Sequence, residues 1–147
     1  MSPHSALDDL PSTGDERLDS VIRAHHDHLA QRGCLIIETG RSRCNRFDIA
    51  LHTDFGPLEQ DKAKNQDYAL VWQPSRAESG DRLQFALALS DGLTSSFWSE
   101  RAAVLACWVA MGVLVDRKAT LAPEELARSS FDAAGRAIGQ FVDDLRR

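Results

Sequence analysis

Two aspartates occupy positions from which they could bind a metal ion. Asp67 directly precedes an apolar segment that begins at Tyr68, and Asp91 follows the apolar segment 83–89, with Gly92 beside it. If both segments are neighbouring strands, the two carboxylates can converge at one end of a sheet. Carboxylate oxygens, and the carbonyl of a glycine that lets the backbone approach closely, suit Mg²⁺ and Mn²⁺. The alternative is a pair of ordinary turn residues, because Asp-Gly is a common turn dipeptide.

The segments around these aspartates predict an α+β fold with a largely antiparallel sheet. Phe47, Ile49 and Leu51 alternate with more polar residues, as in a strand with one buried face. The almost continuous apolar run near 83–89 predicts a central strand. In total we expect four strands, near residues 35–39, 47–52, 68–72 and 83–89.

Three helices are expected, of which the second and the third should cover the sheet. Ser12 and Thr13 each begin a capping-box pattern, and apolar residues then recur at helical spacing until Gly33, which can end the helix. The second helix, about 99–115 with Ser99 as its cap, is apolar on all sides and must be covered on several. The third runs over about 123–146. We interpret residues 1–11 as a flexible tail and 12–147 as a single domain.

The composition of the chain excludes some kinds of binding partner and predicts its cellular compartment. The net charge of the 147 residues is −5, which argues against nucleic acid or an anionic membrane surface as a partner. The three cysteines lack CxxC spacing, which is typical of thiols in a reducing compartment. The N-terminal residues lack the apolar segment of a secretory signal, and the apolar run 102–115 is too short to span a bilayer. These features predict a cytoplasmic protein.

Three motifs follow one another around the two aspartates: Asn65-Gln66-Asp67 before a predicted strand, Ser90-Asp91-Gly92 after the next strand, and Ser99-Glu100 at the start of a helix. In type, order and spacing they resemble the motifs of the metal-dependent (type 2C) protein phosphatases, which have Asn-Gln-Asp or Asn-Glu-Asp, then Asp-Gly, then a Ser/Glu motif that opens a helix. A divergent bacterial branch with a serine-rich loop is the most similar. The resemblance covers roughly residues 47–115.

The resemblance implies a serine/threonine protein phosphatase that uses two divalent cations, Mn²⁺ or Mg²⁺, to activate water against a phosphomonoester. Asp91 would bridge the cations, Gly92 would offer its carbonyl to one of them, and Asp67 would position the water. Lys62 falls where the family has an arginine and would hold the substrate phosphate. The implied fold is a four-layer sandwich of two sheets between helices, and the implied partner is a phosphorylated protein.

Departures from the family pattern keep other functions open. The Gly-Met-Gly-Gly sequence that usually follows the aspartate at the position of Asp91 is replaced by Gly92-Leu93-Thr94-Ser95, and no acid after Asp91 matches the two further metal-binding aspartates of the family. The first hypothesis is therefore a short or truncated phosphatase that forms a homodimer or associates with a missing C-terminal half. The second is a non-catalytic phosphatase-like module that binds or regulates a partner. The third is an unrelated α+β interaction module.

Overall fold

The computed structural model describes residues 10, 12–44, 47–53, 65–74, 83–92 and 98–147. The predicted tail therefore lies outside the described residues, except for Leu10. The described residues form three helices and five strands, which confirms the α+β class with antiparallel pairing. Their order is α1 (Glu16–Ala30), β1 (Gly33–Ile37), β2 (Thr39–Cys44), β3 (Phe47–His52), β4 (Tyr68–Pro74), β5 (Ala86–Ser90), α2 (Ser99–Arg117) and α3 (Pro123–Leu145).

The larger sheet contains β1, β4 and β5 in the spatial order β1-β4-β5, with antiparallel pairing throughout. The prediction that the strand near 83–89 is central was wrong, because β4 is central and β5 lies at the edge of the described sheet. Ala86 and Ala88 of β5 are buried, whereas Leu87 and Leu89 are 53% and 72% exposed. An apolar run does not reveal whether both of its faces are buried, and here only the alanine face is.

A second sheet is formed by β2 and β3, and it contacts Gln73 of β4, whose side chain points away from the core that Trp72 faces and thus away from the helices. Glu38 adopts a left-handed conformation (φ 58°) between β1 and β2, which redirects the chain. Gly40 then lies so close to Ile36 that a Cβ at Gly40 would be 2.7 Å from Ile36 Cγ2. The Ser42 hydroxyl donates a hydrogen bond to Gln73 Oε1 of β4 at 2.7 Å. Strand β2 was not predicted, because its residues are mostly polar.

The ends of two helices differ from the prediction. Asp15, and neither Ser12 nor Thr13, caps α1 by accepting hydrogen bonds from the backbone N–H groups of residues 17 and 18. The helix ends with Gln31 as its C-cap, so Gly33 begins β1 instead of ending α1. At α2 the N-cap is Trp98 in a left-handed conformation, and Ser99 is the first helical residue.

The core lies between α2 and the helix-facing side of the larger sheet, with α1 and α3 packed against α2. The fully buried Trp108 donates a hydrogen bond through Nε1 to the Tyr68 hydroxyl at 3.1 Å. Trp72, also fully buried, donates from Nε1 to the Leu29 carbonyl at 3.3 Å. The prediction that α2 is covered on several sides is thus confirmed. Within the described ranges, none of the helices combines the length and apolar character that crossing a bilayer requires.

Candidate functional site

The structure brings Asp67 together with the turn that contains Asp91 and Gly92. Tyr68 of β4 pairs with Ser90 of β5 in the antiparallel register, so the residue before Tyr68 and the residue after Ser90 lie at the same end of the sheet. The Gly92 N–H donates a hydrogen bond to Asp67 Oδ1 at 3.3 Å. Both aspartates are exposed, so their carboxylate oxygens remain accessible to a ligand from solvent.

Gly92 is required by a close approach between two backbone segments. A Cβ at this position would be 2.4 Å from the Gln66 carbonyl oxygen and 2.9 Å from the Gln66 Cβ. Any other residue would therefore push the Asp91 turn away from the segment that precedes β4. On the other side of the contact, the Asp67 N–H donates to Asn65 Oδ1 at 3.0 Å, which fixes the turn that leads into the strand. The glycine thus maintains the proximity of the two acids.

The donor set at this end of the sheet suits a hard cation. Asp67 and Asp91 offer carboxylate oxygens, and Gly92 offers a backbone carbonyl, which are ligands that Mg²⁺ and Mn²⁺ bind well. Among the residues that the structure describes, no group of three His, Cys, Asp or Glu side chains is arranged to hold a metal ion. The described part of the chain therefore supplies two carboxylates, with water or other groups needed to fill the coordination sphere.

A cleft of about 110 Å³ adjoins Asp67. It lies between the loop before α1, the start of β4 and the first turn of α2. Burial raises the pKa of Glu38, which also faces this cleft. The lining residues are Ser12, Thr13, Glu38, Asn65, Asp67, Tyr68, Glu100, Arg101 and Val104.

Arg101 is a residue of this cleft that the sequence analysis did not identify. It is only 8% exposed, and its guanidinium carbon lies 3.8 Å from the centre of the Trp98 ring. Its Nε has no hydrogen-bond partner in the described part of the chain. A signal was present in the sequence, because a basic residue in the first turn of an otherwise apolar helix opposes the helix dipole.

The predicted phosphate-binding residue Lys62 lies outside the described residues, as does the segment 93–97 after Gly92. The role of Lys62 therefore stays a prediction. Searches for related proteins gave no support for or against the family resemblance: no family model, curated protein or solved structure matches the chain. Any functional assignment thus depends on the residues and their geometry.

Proposed function

We propose that the chain contributes the Asp67 and Asp91 part of the metal site of a serine/threonine protein phosphatase of type 2C. The observation that carries the proposal is the contact between the Asp67 carboxylate and the Gly92 N–H across the ends of β4 and β5. Two turn aspartates with no shared role would not need a glycine whose Cβ position is blocked by the Gln66 carbonyl. The close approach instead fits a pair of acids that bind one cation.

The order of layers also supports the proposal. The helices α1 and α2 cover one face of the larger sheet, and the hairpin of β2 and β3 lies on the other. A helix–sheet–sheet order is one part of the helix–sheet–sheet–helix sandwich that the family resemblance implies. The exposed leucines of the edge strand β5 offer a surface for a second copy of the chain or for a further half of the sandwich.

In this proposal the side chains of the site have distinct tasks. Asp67 and Asp91, with the Gly92 carbonyl, hold Mn²⁺ or Mg²⁺, and the Gly92 N–H keeps Asp67 Oδ1 oriented. Cations held there would supply an activated water and would neutralise charge on the phosphoryl group. The cleft beside Asp67 admits the phosphomonoester of a phosphorylated protein, and Lys62 contributes a positive charge to its recognition.

A two-cation site takes more carboxylates than the two that the described residues supply here. Further acids would come from residues outside the described ranges or from a partner chain. We therefore expect little or no Mn²⁺-dependent hydrolysis of a phosphopeptide by the chain alone, since a single loosely bound cation cannot stabilise both the attacking and the leaving oxygen. This shortage of carboxylates also favours the second candidate function, a non-catalytic module that binds a phosphorylated partner.

The proposal is tested by calorimetric titration of the protein and of Asp91→Asn with Mn²⁺. Asparagine keeps the shape of the turn but removes the negative charge that a hard cation needs, so we expect at least a roughly tenfold loss of affinity. The free energy of unfolding should change by less than about 0.5 kcal/mol. Asp132→Asn, on the exposed surface of α3, is the matched control and should bind Mn²⁺ like the original chain.

Equal Mn²⁺ affinities for the original chain and Asp91→Asn would remove Asp91 from any metal site. Phosphopeptide binding that needs Mn²⁺ but leads to no hydrolysis, even with a partner present, would select the non-catalytic function. Hydrolysis that is lost in Asp67→Asn would select the phosphatase.

A further inference from the structure

The electrostatic environment of Arg101 is unfavourable in three respects. Arg101 is the third residue of α2, so its positive charge lies at the positive end of the helix dipole. The side chain is 8% exposed, which deprives the guanidinium of most of its hydration. Within the described ranges it forms no salt bridge, and its Nε donates no hydrogen bond. The nearby Asp19 carboxylate attracts the guanidinium but forms no ion pair with it, and a buried cation without a paired anion is destabilising.

The guanidinium is nevertheless held in a defined place. The Trp98 ring packs against one face at 3.8 Å, a cation–π arrangement. On the side of the loop before α1, Gly14 has a φ of 76°, and a Cβ there would be 3.2 Å from Arg101 Nη2. Gly14 thus provides both the left-handed conformation and the room that the arginine needs. The arginine is therefore positioned before any ligand arrives.

Arg101 lines the cleft beside Asp67, whose volume of about 110 Å³ is several times the roughly 30 Å³ that a water molecule occupies in the liquid. We propose that Arg101 binds the phosphoryl group of a phosphomonoester in this cleft. The planar guanidinium can donate two parallel hydrogen bonds to phosphate oxygens, which a lysine cannot. This inference rests on the proposed function, because it adds Arg101 to Lys62 as a substrate-recognition residue of the same site.

The carboxylates of the cleft decide when the phosphate can bind. Glu38, Asp67 and Glu100 share the cleft with Arg101, so an anion alone would meet net negative charge. A divalent cation bound to Asp67 would offset two of these charges. Asp19 lies near Arg101, but it already accepts hydrogen bonds from Thr13 and Ser12. Phosphate should therefore bind tightly only when Mg²⁺ or Mn²⁺ is present.

The test is a calorimetric titration with inorganic phosphate and with a phosphoserine peptide, each with and without saturating Mg²⁺. We expect both ligands to bind in the presence of Mg²⁺, and at least about tenfold more weakly to Arg101→Gln. Arg101→Lys, which keeps the charge but not the paired donors, should fall between them. Arg128→Gln, on the exposed surface of α3, is the matched control and should bind like the original chain.

The Mg²⁺ affinity separates this inference from the proposed function. Arg101→Gln should keep the Mg²⁺ affinity of the original chain, whereas Asp67→Asn should lose it. A chain that binds no Mg²⁺ overturns the proposed function, while phosphate binding that is lost in Arg101→Gln would still support the anion site. Equal phosphate affinities for the original chain and Arg101→Gln, or no phosphate binding by either, would overturn the inference.

Two further controls test this interpretation. If circular dichroism shows that Arg101→Gln does not fold, Trp98→Ala is tested instead. Trp98 is exposed, and the loss of its ring should weaken phosphate binding by a smaller factor than the loss of Arg101. An unphosphorylated peptide of the same sequence should not bind. Binding of inorganic phosphate without binding of the phosphopeptide would overturn the assignment of a phosphoprotein ligand.

Discussion

The core around Trp108 and the end of the sheet around Asp67 are built in opposite ways. In the core, the indole N–H groups of the two buried tryptophans are paired internally: Trp108 donates to Tyr68, and Trp72 donates to the Leu29 carbonyl. At the sheet end, two carboxylates face solvent, the buried Arg101 lacks a described partner for its Nε, and Trp98 adopts a left-handed conformation. The buried tryptophans of the core thus need no ligand, whereas the sheet end has groups that can take one. Strain and unsatisfied groups of this kind are typical of functional sites.

The largest effect is expected for Trp108→Ala in the core. Removing this fully buried ring leaves a cavity and the Tyr68 hydroxyl without its donor, so the free energy of unfolding should fall by about 3–5 kcal/mol. Urea denaturation measures the change. Trp98→Ala is the matched control. Because Trp98 is 40% exposed, its substitution should lower the free energy of unfolding by less than about 1 kcal/mol. Similar losses for the two tryptophans would contradict the contrast between core and site.

A smaller effect is expected for Gly92→Ala at the sheet end. The new Cβ would be 2.4 Å from the Gln66 carbonyl oxygen, so the turn must move, at a cost of about 1–3 kcal/mol. The Mn²⁺ affinity should fall as well, because Asp91 moves away from Asp67. Gly135→Ala in α3 is the control, since nothing lies within 4 Å of its Cβ position and alanine should stabilise the helix by about 0.5–1 kcal/mol. Unchanged stability and Mn²⁺ affinity in Gly92→Ala would show that the close approach is not needed.

The smallest effect concerns pH and the α1–α2 contact. Burial, and then the neighbouring His28, lower the pKa of His25, against a raising effect of Asp116. The unfolded chain therefore binds a proton at higher pH than the folded chain, so this contribution to stability is lost as the pH falls through about 6.5. His25→Gln should lose less stability than the original chain between pH 7 and pH 5 in urea denaturation. A parallel loss in both proteins would exclude His25 as the cause.

Periodicity in the sequence predicted the strongly patterned elements. The strand Phe47–His52 has the predicted bounds, and the helices Ser99–Arg117 and Pro123–Leu145 differ from prediction by only a few residues at their ends. The proximity of Asp67 and the Asp91 turn was also predictable, because it needs only two neighbouring antiparallel strands. The N-cap of α1 was not predictable. Ser12 and Thr13 match a capping pattern, but in the structure their side chains bind the Asp19 carboxylate instead of capping the helix.

Other features could not be read from the pattern because they depend on packing between segments distant in the chain. The polar strand Thr39–Cys44 forms because Gly40 and Ser42 fit against the larger sheet. Arg101 lies in the site because the Gly14 loop and the Trp98 ring pack around its guanidinium, and the spacing of residues in the sequence does not predict this packing. The edge position of β5 depends on which strands pair with β4. The alternating alanines and leucines of β5 are all apolar, so the sequence pattern does not show that only the alanine face is buried.

Because the three tryptophans differ in exposure, their fluorescence should differ in its sensitivity to quenchers. Trp72 and Trp108 are 0% exposed, whereas Trp98 is 40% exposed and packs against the Arg101 guanidinium. A collisional quencher such as acrylamide therefore reaches Trp98 far more readily than the two buried rings. Fluorescence that responds to such a quencher in the native protein reports on the contact between Trp98 and Arg101, and the remaining emission reports on the core.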